Sequence, residues 1–128
     1  MKTVFLHGIV AGILAGVACL AYNSAYASAM WTDFSAIIHP GSMFGGSLFG
    51  TVLASLGYFF LSKWVKKYTD AIFNVLLLVF TFASFVSPFA FQLPLDIESP
   101  ELFPGLTIPM HVFPALFWLA TKPLFYNQ

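Results

Sequence analysis

The chain has 128 residues, of which 59% are hydrophobic and 8% charged, and its formal net charge is zero. Soluble domains carry about 25% charged residues, and so few charges cannot cover the large surface of a chain this small. Neutrality excludes the basic footprint of a nucleic-acid binder, and the single Cys19 excludes an internal disulfide or a cysteine-based zinc cluster.

The mean hydropathy of +0.87 and the 16 phenylalanines fit a chain whose solvent is mostly lipid. The charges are arranged rather than scattered. Thr3–Thr32, Phe34–Ser62, Ala71–Leu95 and Leu102–Thr121 contain none. A helix needs about 20 apolar residues to cross about 30 Å of hydrocarbon. Each window is long enough for one span and too short for two. The expected fold is an all-α membrane protein, a four-transmembrane-helix bundle forming a single domain over residues 1–128. Its spans run roughly 4–22, 43–61, 71–89 and 106–124.

Span one follows Lys2. Gly8, Gly12 and Gly16 recur every four residues and so stack on one helix face. Glycine there lets another backbone come close, and Ala11, Ala15 and Ala18 widen the small face. A second reading competes. Lys2, the apolar core, and the small residues of Ala25-Tyr26-Ala27 and Ala27-Ser28-Ala29 also fit a cleaved signal peptide. The glycines and His7 inside the core favour a retained span. A lipoprotein signal at Cys19 is disfavoured, because Gly16 stands where such a signal wants leucine.

Met30–Gly41 forms the first outer connection, with Trp31 suited to a membrane interface and His39-Pro40-Gly41 reading as a turn. Ser42 or Ser47 caps span two. Gly46, Gly50 and Ala54 repeat the small-residue spacing of span one. An antiparallel hairpin of the two spans, small face to small face, is the expected packing. A short basic loop follows, Ser62–Asp70, holding Lys63, Lys66 and Lys67 between the interfacial Trp64 and Tyr68.

Span three is the most aliphatic, and Pro88 kinks or ends it for want of an N–H. Gln92–Gly105 is the second outer connection. Its three prolines make it stiff and non-helical, while Leu93, Leu95, Ile97, Leu102 and Phe103 are apolar enough to lie against the outer mouth of the bundle. Span four contains Pro109 and Pro114. The interior Pro114 bends the helix unless a neighbour satisfies the carbonyl it frees. Lys122 and the polar Asn127-Gln128 end the chain. All five lysines then share one side, and lysine bias makes that side, with both termini, cytoplasmic.

An ionisable group inside a membrane is expensive and a functional candidate by default. Only His7 and His111 qualify, and they lie at opposite ends of the bundle. His111, with Ser87 or Thr107 supplying a hydrogen bond, is the ligand-binding candidate. His39, His111, Asp33, Asp96, Glu98 and Glu101 could meet at the outer mouth, but no pair has a recognised metal spacing. No catalytic triad order, phosphate loop or HExxH stretch is present, so no catalytic residue, metal or cofactor is expected.

The order of features resembles a family of small bacterial four-span membrane proteins of unknown function. The likeness covers nearly the whole chain. It rests on the small-residue first span, the glycine-rich second, the short basic loop, Ser87-Pro88 closing span three and Met110-His111 in span four. The basic loop departs from the family in lacking arginine. The resemblance implies a bacterial inner membrane and draws attention to His111, but brings no activity. Two functions follow as expectations. One is a non-enzymatic subunit or scaffold, partnered by the lipid bilayer and by other membrane proteins or further copies of itself. The other is a binder or transporter of a small apolar molecule, a lipid or quinone, through His111.

Overall fold

A computed structural model describes residues 1–126; the expected Asn127-Gln128 end lies outside them. The described chain is all helical. Helix α1 spans Lys2–Met30, α2 Pro40–Trp64, α3 Thr69–Ser84, α4 Val86–Ala90 and α5 Phe103–Phe125, with a 3-10 turn at Pro100–Leu102 leading into α5. Counting α3 and α4 as one broken span, four helices are long and apolar enough to cross a membrane.

The boundaries differ from the sequence reading in ways that proline explains. Pro40 starts α2 rather than ending a turn, because the first helical position needs no N–H. The Ser42 hydroxyl accepts from the His39 N–H at 3.0 Å and donates to the His39 carbonyl at 2.7 Å, which closes the first turn. Pro104 likewise sits in the first turn of α5, so that helix begins inside the stretch expected to be non-helical. Pro88 cannot donate to Ser84, four residues back. The chain breaks at Phe85, whose N–H turns to the Phe82 carbonyl at 3.1 Å.

Helix α1 is the spine and has two working faces. Gly8, Gly12 and Gly16 face α2. A Cβ on Gly12 would stand 2.6 Å from Thr51 Oγ1 and 2.8 Å from the Leu48 Cα, and one on Gly8 would stand 2.9 Å from the Val52 Cα. One on Gly16 would enter the Phe44 ring. This closeness lets the Thr51 hydroxyl donate to the Gly8 carbonyl of the other helix at 2.7 Å. The expected hairpin therefore forms, but the expected face of α2 does not make it. Gly46 has open space around it, a Cβ on Gly50 would stand 3.6 Å from the Pro114 Cβ of α5, and Ala54 packs near Ala11, Phe73 and Trp118. The glycines of α1 receive the larger side chains of α2, bump into hollow.

The second face of α1, His7, Ala11, Ala15 and Cys19, is wholly buried and meets α5. Farther along, Tyr22 and Tyr26 reach the start of α5. There Phe34, Phe103 and Leu106 form a buried cluster with Leu93, Ile97 and Leu102 around it. The proline-rich connection thus covers this end of the bundle, except Leu95, which is fully exposed.

Because Gly12 is crowded against α2 and Gly46 of α2 is free, matched substitutions separate the two. Gly12→Ala forces α1 and α2 apart and should destabilise by about 1–3 kcal/mol. Gly46→Ala meets nothing and should be neutral or slightly stabilising through helix propensity. Thermal melts followed by circular dichroism in detergent micelles read both.

Candidate functional site

Polar side chains gather at one end of the bundle, where α1 and α3 begin and α2 and α5 finish. Trp118 is its centre and is fully buried. Its ring lies 4.6 Å from Phe73, 4.7 Å from His7 and 5.4 Å from Tyr58, centroid to centroid, so one side chain joins all four long helices. The indole N–H donates to Ser55 Oγ of α2 at 2.8 Å. Tryptophan is suited to this place because its large apolar body can be buried once the N–H has found an acceptor.

His7 lies against it, also fully buried. Its Nε2 is 3.0 Å from the Trp118 carbonyl oxygen and 3.0 Å from Thr121 Oγ1. The ring is stacked on Phe125 at 4.9 Å and meets Tyr126 edge-on at 5.2 Å. Nearer the surface, Asp70 Oδ1 takes the Lys122 ammonium at 2.6 Å and the Tyr58 hydroxyl at 2.8 Å. Lys122 also stands over the Tyr58 ring at 4.8 Å. Just past the end of α5, burial pushes the Tyr126 phenol above its ordinary pKa, so it keeps its proton. Lys2, Lys63, Lys66, Lys67 and Lys122 all belong to this end, which follows from four antiparallel spans.

The residues favoured from sequence are placed elsewhere. His111 is half-buried on α5, Ser87 is exposed on α4, and Thr107 is buried with its hydroxyl donating to the Phe103 carbonyl at 3.0 Å. The expected hydrogen bonds from Ser87 and Thr107 to His111 are not formed among the described residues. At the same end, the Ser35 hydroxyl and then the Ser35 N–H, which donates to Asp33 at 2.8 Å, hold the Asp33 carboxyl below the usual range. Among the described residues, no three His, Cys, Asp or Glu side chains gather as a metal-binding set.

His7 was legible as an ionisable group in a span, but not as the partner of Trp118 and Thr121. The signal was present in the row His7, Ala11, Ala15, Cys19, whose four-residue spacing puts the histidine on a face of small residues. No family model and no curated protein matches the sequence, and no solved structure matches the fold.

The network can hold a polar group in place among helices. Its members are not equal. Ser55→Ala leaves the buried Trp118 N–H without an acceptor and should cost about 1–3 kcal/mol. Lys122→Met removes an ion pair whose carboxylate is 63% exposed, so its cost should stay below about 1 kcal/mol. Equilibrium unfolding of both variants in mixed micelles checks the order.

Proposed function

We propose that this chain is a non-enzymatic subunit of bacterial inner-membrane assemblies, and that it presents its third span to a partner. The observation that carries this reading is the outer face of α3. Only Thr69 and Phe73 of that helix are buried. Ile72, Val75, Leu76, Leu78 and Val79 are exposed, and Asn74 is exposed among them. Lipid tails suit the aliphatic side chains. They offer nothing to a primary amide, which has two donors and an acceptor to satisfy. Asn74 lies on the order of 7 Å along the helix from Thr69, inside the apolar part of the span.

An amide or hydroxyl on another helix meets that need. Hydrogen bonds between membrane helices contribute about 0.6 to 2 kcal/mol. The partner is a further copy of the chain or another membrane protein. Most polar groups at the lysine-rich end are engaged with one another or with backbone carbonyls, which is a holding role. Lysine bias sets that end, with both termini, on the cytoplasmic side.

Native mass measurement of the full-length protein, extracted from bacterial membranes in mild detergent, tests the reading. Species heavier than one chain are expected, and Asn74→Leu should reduce their association constant about fivefold. A lone monomer across several detergents, with no co-purifying membrane protein, would sink it.

A further inference from the structure

His7 offers a hydrogen-bond acceptor that nothing in the described chain uses. The Trp118 carbonyl can only accept. The Thr121 hydroxyl gives its one hydrogen to the Phe117 carbonyl at 2.7 Å, so toward His7 it accepts as well. Both contacts at Nε2 therefore require the ring hydrogen on that atom. A neutral imidazole then carries its lone pair on Nδ1. That nitrogen is buried and has no partner among the described residues. Native interiors rarely leave such a group unmatched, and an unmatched one points to a molecule not yet in view.

A second orphan stands beside it. The Tyr126 hydroxyl is also buried without a partner among the described residues, and its ring meets the His7 ring edge-on. Tyr126 and Phe125 form one wall of a cleft of about 480 Å³ between the start of α1, the end of α2 and the end of α5. Val4 and Phe59 give that cleft apolar surface, and Thr3, Tyr58 and Ser62 give it hydroxyls. Tyr126 follows the last residue of α5 on extended backbone, so its side chain can turn aside without breaking the helix.

We propose that this site binds the hydroxyl head of a membrane-resident amphiphile, an alcohol or phenol carried on an apolar tail. His7 is not itself part of the cleft wall, but its ring lies against Tyr126, which is. With Tyr126 turned aside, an alcohol or phenol hydroxyl can donate to His7 Nδ1 and accept from Tyr126; water has the same chemistry, and the spectrum recorded without a probe separates the two. A carboxylate has no hydrogen to give and would set lone pair against lone pair. A primary ammonium could donate, but it has no lone pair with which to accept from Tyr126. The tail leaves along Val4 and Phe59 into the bilayer. This inference stands apart from the subunit reading, since no residue of α3 lines the cleft.

The test uses the full chain, labelled with nitrogen-15 histidine, in lipid nanodiscs. His39→Gln and His111→Gln identify the His7 signals by elimination while leaving His7 intact. Dioleoylglycerol is the alcohol probe, nonylphenol the phenol probe, and acetylated dioleoylglycerol the control lacking a donor. Without a probe, Nδ1 should resonate as an unprotonated nitrogen free of hydrogen bonds. Either hydroxyl probe should shift it upfield saturably, and which of them does so identifies the source of the hydroxyl. Tyr126→Phe should weaken that binding about fivefold with the rest of the spectrum unchanged. The proposal fails if Nδ1 is already hydrogen-bonded before any probe is added, if the acetylated control acts like the alcohol, or if neither probe moves the signal.

Discussion

Helix α5 cannot satisfy its own backbone, and much of the bundle is arranged around that fact. Pro109 and Pro114 have no N–H for the carbonyls of Gly105 and Met110, four residues earlier. In an apolar medium each unmatched carbonyl is expensive. Helix α1 supplies the missing donors. The Tyr22 hydroxyl donates to the Gly105 carbonyl at 2.8 Å, and the Cys19 thiol points to the Met110 carbonyl at 3.9 Å. The Tyr26 hydroxyl takes the Leu102 carbonyl at 2.7 Å. Gly105 has to be glycine for that last bond, because a Cβ there would lie 2.6 Å from the Tyr26 oxygen. A helix that would be weak alone becomes a fixed part of the bundle by leaning on α1.

The same helix must also hold α2, and the 3.6-residue turn makes both tasks possible. Gly8, Gly12 and Gly16 form one row; His7, Ala11, Ala15 and Cys19 form the row immediately beside it. Side chains four apart stack along the helix, so two adjacent rows serve two adjacent neighbours. Lipid gives little hydrophobic drive for helices to associate. Contact area and shared hydrogen bonds must then do it, and α1 gets contact from its glycines and hydrogen bonds from its polar residues. That division explains why, Val4 apart, the buried residues of α1 are either small or able to pair.

How far the sequence discloses this depends on what each feature requires. Charge-free windows reveal four spans because any helix crossing lipid must be long and apolar, whatever it packs against. The glycine row of α1 is equally visible, since only close approach makes three glycines at that spacing useful. The row Gly46, Gly50, Ala54 has the same pattern, yet Gly46 faces open space. Spacing identifies a face but carries no information about the rotation of one helix against another. His111 and His7 look alike in sequence. What separates them is a carbonyl of Trp118 and a hydroxyl of Thr121 more than a hundred residues from His7. Such a pairing is fixed by the fold and leaves no local mark.

The attachment of α3 is the one place where this economy of contacts is absent. It touches the rest through Thr69 and Phe73, with Leu77 partly buried behind them. Its hydroxyls bond locally: Thr69 to the Val65 carbonyl in the preceding loop, Thr81 to the Leu77 carbonyl at 2.7 Å and Ser84 to the Thr81 carbonyl at 2.6 Å. None of these reaches another helix. Its links across to α5 at the lysine-rich end are the Phe73–Trp118 ring contact and the Asp70–Lys122 pair, whose carboxylate is exposed. A span held at one end by a partly exposed ion pair and by a short row of side chains is expected to have low local stability. Elements of that kind are the ones that exchange one set of contacts for another, whereas the α1–α2–α5 unit, joined through Trp118 and the α1 hydroxyls, is built to stay as it is.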